Sequence, residues 1–195
     1  MEIDYKSLEG ALNILGQLLA DRGFHYEIVA IGGGSLLLLK LIERTTKDLD
    51  LVALVKEGEL ISADPLPRAL TQAAEDVGKA LELGKDWLNI GPSSLLKSGL
   101  PTGFFNRLHT HHFKGLTVHL ADRFDQICFK LYATVDQGKK SKHFRDLITL
   151  KPNTWELEVA KNWCINQDVS ECFAMEVNNA LIELNIALEG IDEPS

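Results

Sequence analysis

A run of apolar, mostly β-branched residues that ends in three consecutive glycines is the feature that most constrains the fold of this chain. Residues 28–31 read Ile-Val-Ala-Ile, and they are followed at once by Gly32, Gly33, Gly34 and Ser35. This pattern predicts a buried strand that enters a tight turn, and the leucine-rich residues 36–42 predict a helix packed on that strand. Glycines let the backbone approach a ligand closely, and the N–H groups at a helix start favour phosphate oxygens. The turn is therefore a candidate phosphate-binding site.

Two aspartates follow the glycine turn in a segment where polar and apolar residues alternate. Residues 48–53 read Asp-Leu-Asp-Leu-Val-Ala, which predicts a short strand. Because side chains alternate along a strand, Asp48 and Asp50 are expected to point to the same face of the sheet. Two adjacent carboxylates repel each other unless a cation joins them, and Mg²⁺ or Mn²⁺ prefers oxygen ligands of this kind. The segment therefore predicts a metal site beside the phosphate site.

Together, these two motifs resemble the signature of the nucleotidyltransferase superfamily of DNA polymerase beta. They are most similar to the minimal nucleotidyltransferases of the AbiEii abortive-infection and toxin–antitoxin group, and the resemblance covers roughly residues 25–150. It implies a metal-dependent enzyme that moves an NMP from an NTP to an acceptor hydroxyl, with Mg²⁺ or Mn²⁺ held by Asp48 and Asp50. It also implies that the nucleotide is bound by Gly32, Gly33, Gly34, Ser35, Arg44 and Thr46.

Later segments of the chain follow the order of the same family. Residues 116–120 are similar to its later core strand, residues 127–133 to its helix with an internal lysine, and residues 142–147 to its closing element. The resemblance implies that Lys130 neutralises charge on the phosphates. It implies that Asp146 completes the metal shell or accepts the proton of the acceptor hydroxyl. The implied catalytic residues are Asp48, Asp50, Lys130 and Asp146.

The chain departs from the polymerase-type members at one position. Those members carry a third carboxylate on the later strand, where this chain has His119, with Asp122 just past the end of the predicted strand. Three functions therefore stay open: an active toxin-like enzyme restrained by a cognate antitoxin protein, a catalytically silent binding module of the same fold, and an antibiotic nucleotidyltransferase. The acceptor is equally open between tRNA, a protein hydroxyl and a small molecule.

Some of these residues have simpler interpretations when the family is set aside. Lys130 lies off the apolar stripe of its predicted helix, which alone predicts an exposed lysine. Asp146 could pair with Lys142 one turn earlier on a helix surface. The resemblance implies that Trp87 and Asn89 line the mouth of a nucleotide cleft, because related minimal nucleotidyltransferases often carry a similar Trp-x-Asn, whereas the residues alone are equally compatible with a loop tryptophan that covers the core.

The histidines at positions 109, 111 and 112 invite a zinc interpretation, which the sequence does not favour. On a strand the first two share a face while His112 points away, and no cysteine or acidic partner lies at a usual ligand spacing. We therefore predict ordinary strand histidines.

Global composition fits a single enzyme-sized domain. The chain has 195 residues, of which 45% are hydrophobic and 25% charged. The net charge of −8 argues against broad electrostatic binding of nucleic acid. A chain with this net charge can still carry local basic clusters. No apolar run approaches the length of a membrane span, and the acidic start of the chain does not resemble a signal peptide. Three cysteines without paired spacing favour reduced thiols in a cytoplasmic protein.

Periodicity predicts an α/β (α+β) fold with a nucleotidyltransferase-type mixed sheet flanked by helices and a helical C-terminal cap. The predicted order is α-β-α-β-α-β-β followed by helices. Apolar spacing predicts helices over residues 5–22, 66–83, 154–165 and 168–189, the last two as an antiparallel pair, and a hairpin formed by residues 104–113 and 115–121. The predicted division places a nucleotidyltransferase-like domain at residues 1–150 and a helical extension at residues 151–195.

Overall fold

The computed structural model describes residues 2–192 of the chain. The chain divides into two compact units, Met1–Asp122 and Arg123–Ser195. The predicted division after residue 150 falls inside the second unit. Within the described residues the chain forms eight α-helices and one mixed sheet of six strands, so the predicted mixed α/β class is confirmed. In the same part of the chain, no helix combines the length and the apolarity that crossing a bilayer requires.

The first unit contains the whole sheet. Its helices are α1 Tyr5–Asp21, α2 Gly32–Leu38, α3 Arg68–Ala80 and α4 Ser94–Ser98. Its strands are β1 Tyr26–Ile31, β2 Leu49–Lys56, β3 Glu59–Ile61, β4 Leu88–Asn89, β5 His109–Phe113 and β6 Leu116–Leu120. The strand order is β3-β2-β1-β6-β5, with β4 paired to β2. The β1–β6 and β2–β4 pairs are parallel, and the other pairs are antiparallel.

Helix α1 forms where the leucine spacing predicts it. Asp4 caps its start by accepting a hydrogen bond from the Ser7 N–H at 2.8 Å. The apolar stripe of the helix is buried, at Leu8, Leu12, Leu15 and Leu19. The Gly115 N–H donates to the Gly16 carbonyl at 3.0 Å, and a Cβ on Gly16 would overlap the Phe113 carbonyl oxygen. The helix can approach the turn between β5 and β6 this closely because position 16 has no side chain.

Several element boundaries differ from the sequence prediction. Helix α2 begins at Gly32 and so includes the glycines, where the prediction placed the helix after them. Strand β2 begins at Leu49, so Asp48 lies immediately before the strand. The first predicted strand of the hairpin begins as a short 3-10 helix, Phe104–Arg107, and becomes extended only at His109. Alternation of polar and apolar residues locates an element but does not define its first residue.

The sheet topology places several strand ends at one edge. Strands β1 and β6 are parallel, with Ala30 beside Leu120, so both end at that edge. Strand β2 is antiparallel to β1 and begins there, with Asp50 opposite Ile31. Strand β4 is parallel to β2 and places Asn89 beside Asp50. The turn after β1 and the starts of β2 and β4 therefore lie together.

The second unit is helical over its described residues. Its helices are α5 Arg123–Gln137, α6 Lys142–Leu150, α7 Thr154–Gln167 and α8 Glu171–Asp192. Ser141 caps α6 by accepting from the Phe144 N–H, and α7 begins with a capping box between Asn153 and Glu156. Burial raises the pKa of the Cys164 thiol, which keeps it protonated and unreactive. The two final helices form as predicted. Helix α7 ends two residues later than its predicted bound, and α8 begins and ends three residues later than predicted.

Candidate functional site

The glycine turn lies directly against the segment that carries the two aspartates. Gly32 has a φ of +76°, and a Cβ at this position would lie 2.5 Å from Oδ2 of Asp50. A Cβ on Gly34 would lie 2.8 Å from the backbone carbonyl oxygen of Asp48. The left-handed conformation and both close approaches require glycine. The structure therefore brings the predicted glycine turn and the predicted aspartates into one place.

The same turn contacts the two remaining nucleotide-binding residues that the resemblance implies. A Cβ on Gly33 would lie 3.1 Å from both Arg44 Nη2 and Thr46 Oγ1. The Thr46 hydroxyl donates to the Asp48 carbonyl oxygen at 3.1 Å, and the Thr46 backbone bridges to Ile3. Thr46 thus holds the backbone at Asp48, while the half-buried Arg44 lies beside the turn.

Ser35 ends the motif and is fully buried. Within residues 2–192 its hydroxyl oxygen has no hydrogen-bond partner. A buried hydroxyl without a partner is energetically unfavourable by about 1–3 kcal/mol, so such a group is expected to have a functional or structural reason.

Asn89 fixes the Asp50 carboxylate. Its Nδ2 donates to Oδ1 of Asp50 at 2.7 Å, and its own Oδ1 accepts from the Gly91 N–H at 3.0 Å. The bond from Gly91 sets the orientation of the amide, because the oxygen faces Gly91 and the nitrogen must then face Asp50. One carboxylate oxygen is thereby held by Asn89, and the other faces Gly32.

The structure separates the two roles suggested for the Trp87–Asn89 pair. The Trp87 side chain is 1% exposed, and its Nε1–H donates to the Ala74 carbonyl at 2.9 Å. Trp87 therefore belongs to the core, whereas Asn89, two residues later, reaches the aspartate site.

His119, the residue at the position of the third carboxylate, is bonded to other partners. Its Nε2 lies 2.9 Å from Oε2 of Glu27, and its Nδ1 lies 2.9 Å from Oγ1 of Thr110. Asp122 lies with Oδ2 2.8 Å from Nε2 of His109. In the described part of the chain, no three or more His, Cys, Asp or Glu side chains are grouped so that they could hold a metal ion.

Lys130 and Asp146 lie in the second unit and bind each other. Lys130 Nζ is 2.6 Å from Oδ2 of Asp146, and each side chain is 2% exposed. The interpretation of Lys130 as an exposed helical lysine is wrong, and so is the pairing of Asp146 with Lys142. Asp146 lies on the buried side of α6 together with Phe144, Leu147 and Leu150. The two residues of the second unit for which the resemblance implies catalytic roles are therefore bonded to each other.

Replacing Gly32 by alanine is expected to destabilise the first unit by about 1–3 kcal/mol, because alanine is strained at positive φ and its methyl group would displace the Asp50 carboxylate. Gly10→Ala is the matched control: position 10 lies in α1, and a Cβ there meets no atom within 4 Å. The control is expected to be neutral or stabilising by up to about 1 kcal/mol. Urea denaturation of both variants measures the difference, and equal stabilities would contradict the described geometry.

We compared the chain with protein-family models, with curated proteins and with solved structures, and none of the three comparisons found a match. No family is assigned to the chain on this basis, and the similarity to minimal nucleotidyltransferases rests on the motifs alone.

Proposed function

We propose that this protein is a metal-dependent nucleotidyltransferase that transfers an NMP from an NTP to an acceptor hydroxyl. The observation that carries the proposal is the meeting of the Gly32 turn with the Asp50 carboxylate, which Asn89 holds in place. A partly exposed glycine beside a fixed carboxylate suits a phosphate chain that arrives with a divalent cation.

Each residue of this site has a proposed role. The backbone of Gly32, Gly33 and Gly34 admits the triphosphate, and the buried Ser35 hydroxyl can donate to a phosphate oxygen. Arg44 and Thr46 lie beside the turn and would contact the same phosphates. The oxygen donors of Asp48 and Asp50 fit Mg²⁺ or Mn²⁺, which when bound offsets the charge of the triphosphate. Fixing the Asp50 carboxylate before substrate binds lowers the reorganisation needed for reaction.

In the proposed reaction, the acceptor hydroxyl attacks the α-phosphorus in line, a new O–P bond forms, and pyrophosphate leaves. Lys130 would neutralise charge that develops on the phosphates, and Asp146 would accept the hydroxyl proton. The proposed setting is a cytoplasmic toxin-like enzyme that modifies a tRNA, a protein or a small molecule and is restrained by a cognate antitoxin protein.

Nucleotide binding is testable by thermal shift. A ligand that binds only the native state at about 100 times its Kd stabilises by about 2.7 kcal/mol, which raises the Tm of a chain this long by roughly 5–10 °C. We expect such a shift with at least one NTP in the presence of Mg²⁺ or Mn²⁺. The same mixture should leave the Tm of the Asp50→Asn variant unchanged.

A catalytically silent module that binds a partner protein is the second candidate. It is favoured by the bonds of His119 to Glu27 and Thr110, which occupy both of its ring nitrogens. The absence of a Tm shift with every NTP and both metals would support this candidate over the enzyme.

A further inference from the structure

Residues 139–155 concentrate positive charge on a protein whose net charge is −8. The segment contains a single acidic residue, Asp146, and that side chain is buried against Lys130. The basic residues of the segment are all exposed: Lys139, Lys140, Lys142, Arg145 and Lys151. We call these five side chains together with Trp155 the basic surface.

Most of these cations are not neutralised by the protein. Lys139 pairs with Glu183 at 3.0 Å. Across residues 2–192, the other four basic side chains form no ion pair, whereas the exposed Arg22 is paired with Asp76. Unpaired cations on an acidic protein attract a polyanion without first having to break an internal bond.

The fold arranges the cations along one helix. Lys142 and Arg145 are three residues apart in α6 and therefore share a face, and Lys140 precedes them in the turn. Lys151 ends the helix in the left-handed conformation, with a φ of 47°. Lys151 follows Lys142 by about 13 Å along the helix axis and by about half a turn around it, so Lys142 and Arg145 form one basic face and Lys151 lies at the end of the helix.

An exposed tryptophan lies at the start of α7, four residues after Lys151. Trp155 is 65% exposed and stacks on Phe124, with ring centroids 5.3 Å apart and planes at 26°. Because Phe124 covers one face of the indole, the other face is open to a flat ligand.

Arg123 links the end of α6 to the start of α7. Its guanidinium donates to the carbonyl oxygens of Leu150 and Lys151 at 2.5 and 3.0 Å, and it pairs with Glu156 at the start of α7. The end of α6 and the start of α7 are thereby joined before any ligand binds, which reduces the entropic penalty of binding.

We propose that the basic surface binds single-stranded nucleic acid. Cations that follow a phosphate backbone, next to an aromatic ring on which a base can stack, are the combination by which proteins bind single strands. An anionic membrane would instead require several exposed apolar side chains to insert, and this surface offers one ring. The proposal does not rest on the proposed function, because binding here requires neither NTP nor metal.

Fluorescence anisotropy with labelled 20-residue oligo(U) and oligo(dT) tests the electrostatic half of the proposal and distinguishes RNA from DNA. The Lys142→Ala/Arg145→Ala variant should bind at least about tenfold more weakly at low salt. Four phosphate contacts predict a slope of about −3 for log K against log salt, and each lost cation should reduce it by about 0.7. Lys56→Ala/Lys97→Ala removes the same charge from exposed positions of the first unit and should bind as the natural protein does.

Tryptophan fluorescence tests the stacking half. Trp87 and Trp163 are buried, so quenching by an unlabelled oligonucleotide should come from Trp155 and disappear in Trp155→Phe. Trp155→Ala should weaken binding by about 5- to 150-fold, whereas Phe105→Ala, at a 41% exposed ring of the first unit, should not weaken it. Unchanged affinity in Lys142→Ala/Arg145→Ala would overturn the proposal. So would tighter binding to phosphatidylserine vesicles than to either oligonucleotide.

Discussion

Replacing Asp50 by asparagine is expected to lower nucleotidyl transfer by two to four orders of magnitude, roughly 3–5 kcal/mol of transition-state stabilisation. The amide loses the negative charge that would hold the divalent cation, but its oxygen can still accept the hydrogen bond from Asn89. The fold should therefore persist. Pyrophosphate release measures the activity, and circular dichroism measures the fold.

Asp86→Asn is the matched control for this substitution. Asp86 is an exposed aspartate three residues before Asn89, so the variant makes the same chemical change outside the glycine turn. It is expected to retain the activity of the natural protein. Asp48→Asn is expected to behave like Asp50→Asn, and near-natural transfer by either of these two variants would refute the metal assignment.

The second large effect is expected at the buried ion pair of the second unit. Lys130→Met leaves the Asp146 carboxylate buried without its cation, which should lower the free energy of unfolding by about 3–5 kcal/mol. The double variant Lys130→Met/Asp146→Leu removes both charges and should recover most of this loss, because apolar side chains of similar volume replace buried pairs well. Denaturant unfolding of the three proteins measures both effects.

An exposed ion pair provides the control. Lys139 and Glu183 are 61% and 40% exposed, so Lys139→Met should change the stability by less than about 1 kcal/mol. A Lys130→Met protein as stable as Lys139→Met would contradict the described burial. Transfer activity in the stable double variant then separates the roles: the proposed chemistry predicts that activity stays lost, whereas its return would make the pair purely structural.

The sequence predicted what local patterns determine. The leucine spacing of α1 and the apolar run of β1 depend on neighbours a few residues away, and both elements form as expected. All three glycines of the predicted turn belong to α2, and among them only Gly32, its first residue, has a positive φ. Helix propensity disfavours glycine, so the pattern placed the helix start too late.

Contacts between distant residues could not be predicted in this way. Asn89 and Asp50 meet because a two-residue strand pairs with β2, and such a strand carries no periodic signal. Lys130 belongs to α5 and Asp146 to α6, so their contact depends on how the two helices pack. From the sequence alone, a lysine that lies beside the apolar stripe of a helix is predicted to be exposed. Burial of a charge is tolerable only beside a partner, which becomes visible once the helices are packed.

Incubation of the protein with each α-labelled NTP, Mg²⁺ or Mn²⁺ and a total extract of RNA and protein tests the proposed function most directly. We predict that label from at least one NTP becomes attached to a macromolecule or small molecule of the extract. The label should be absent with Asp50→Asn and present with Asp86→Asn. If no component accepts label from any NTP with either metal, the protein is not a nucleotidyltransferase and the site at the glycine turn binds without chemistry.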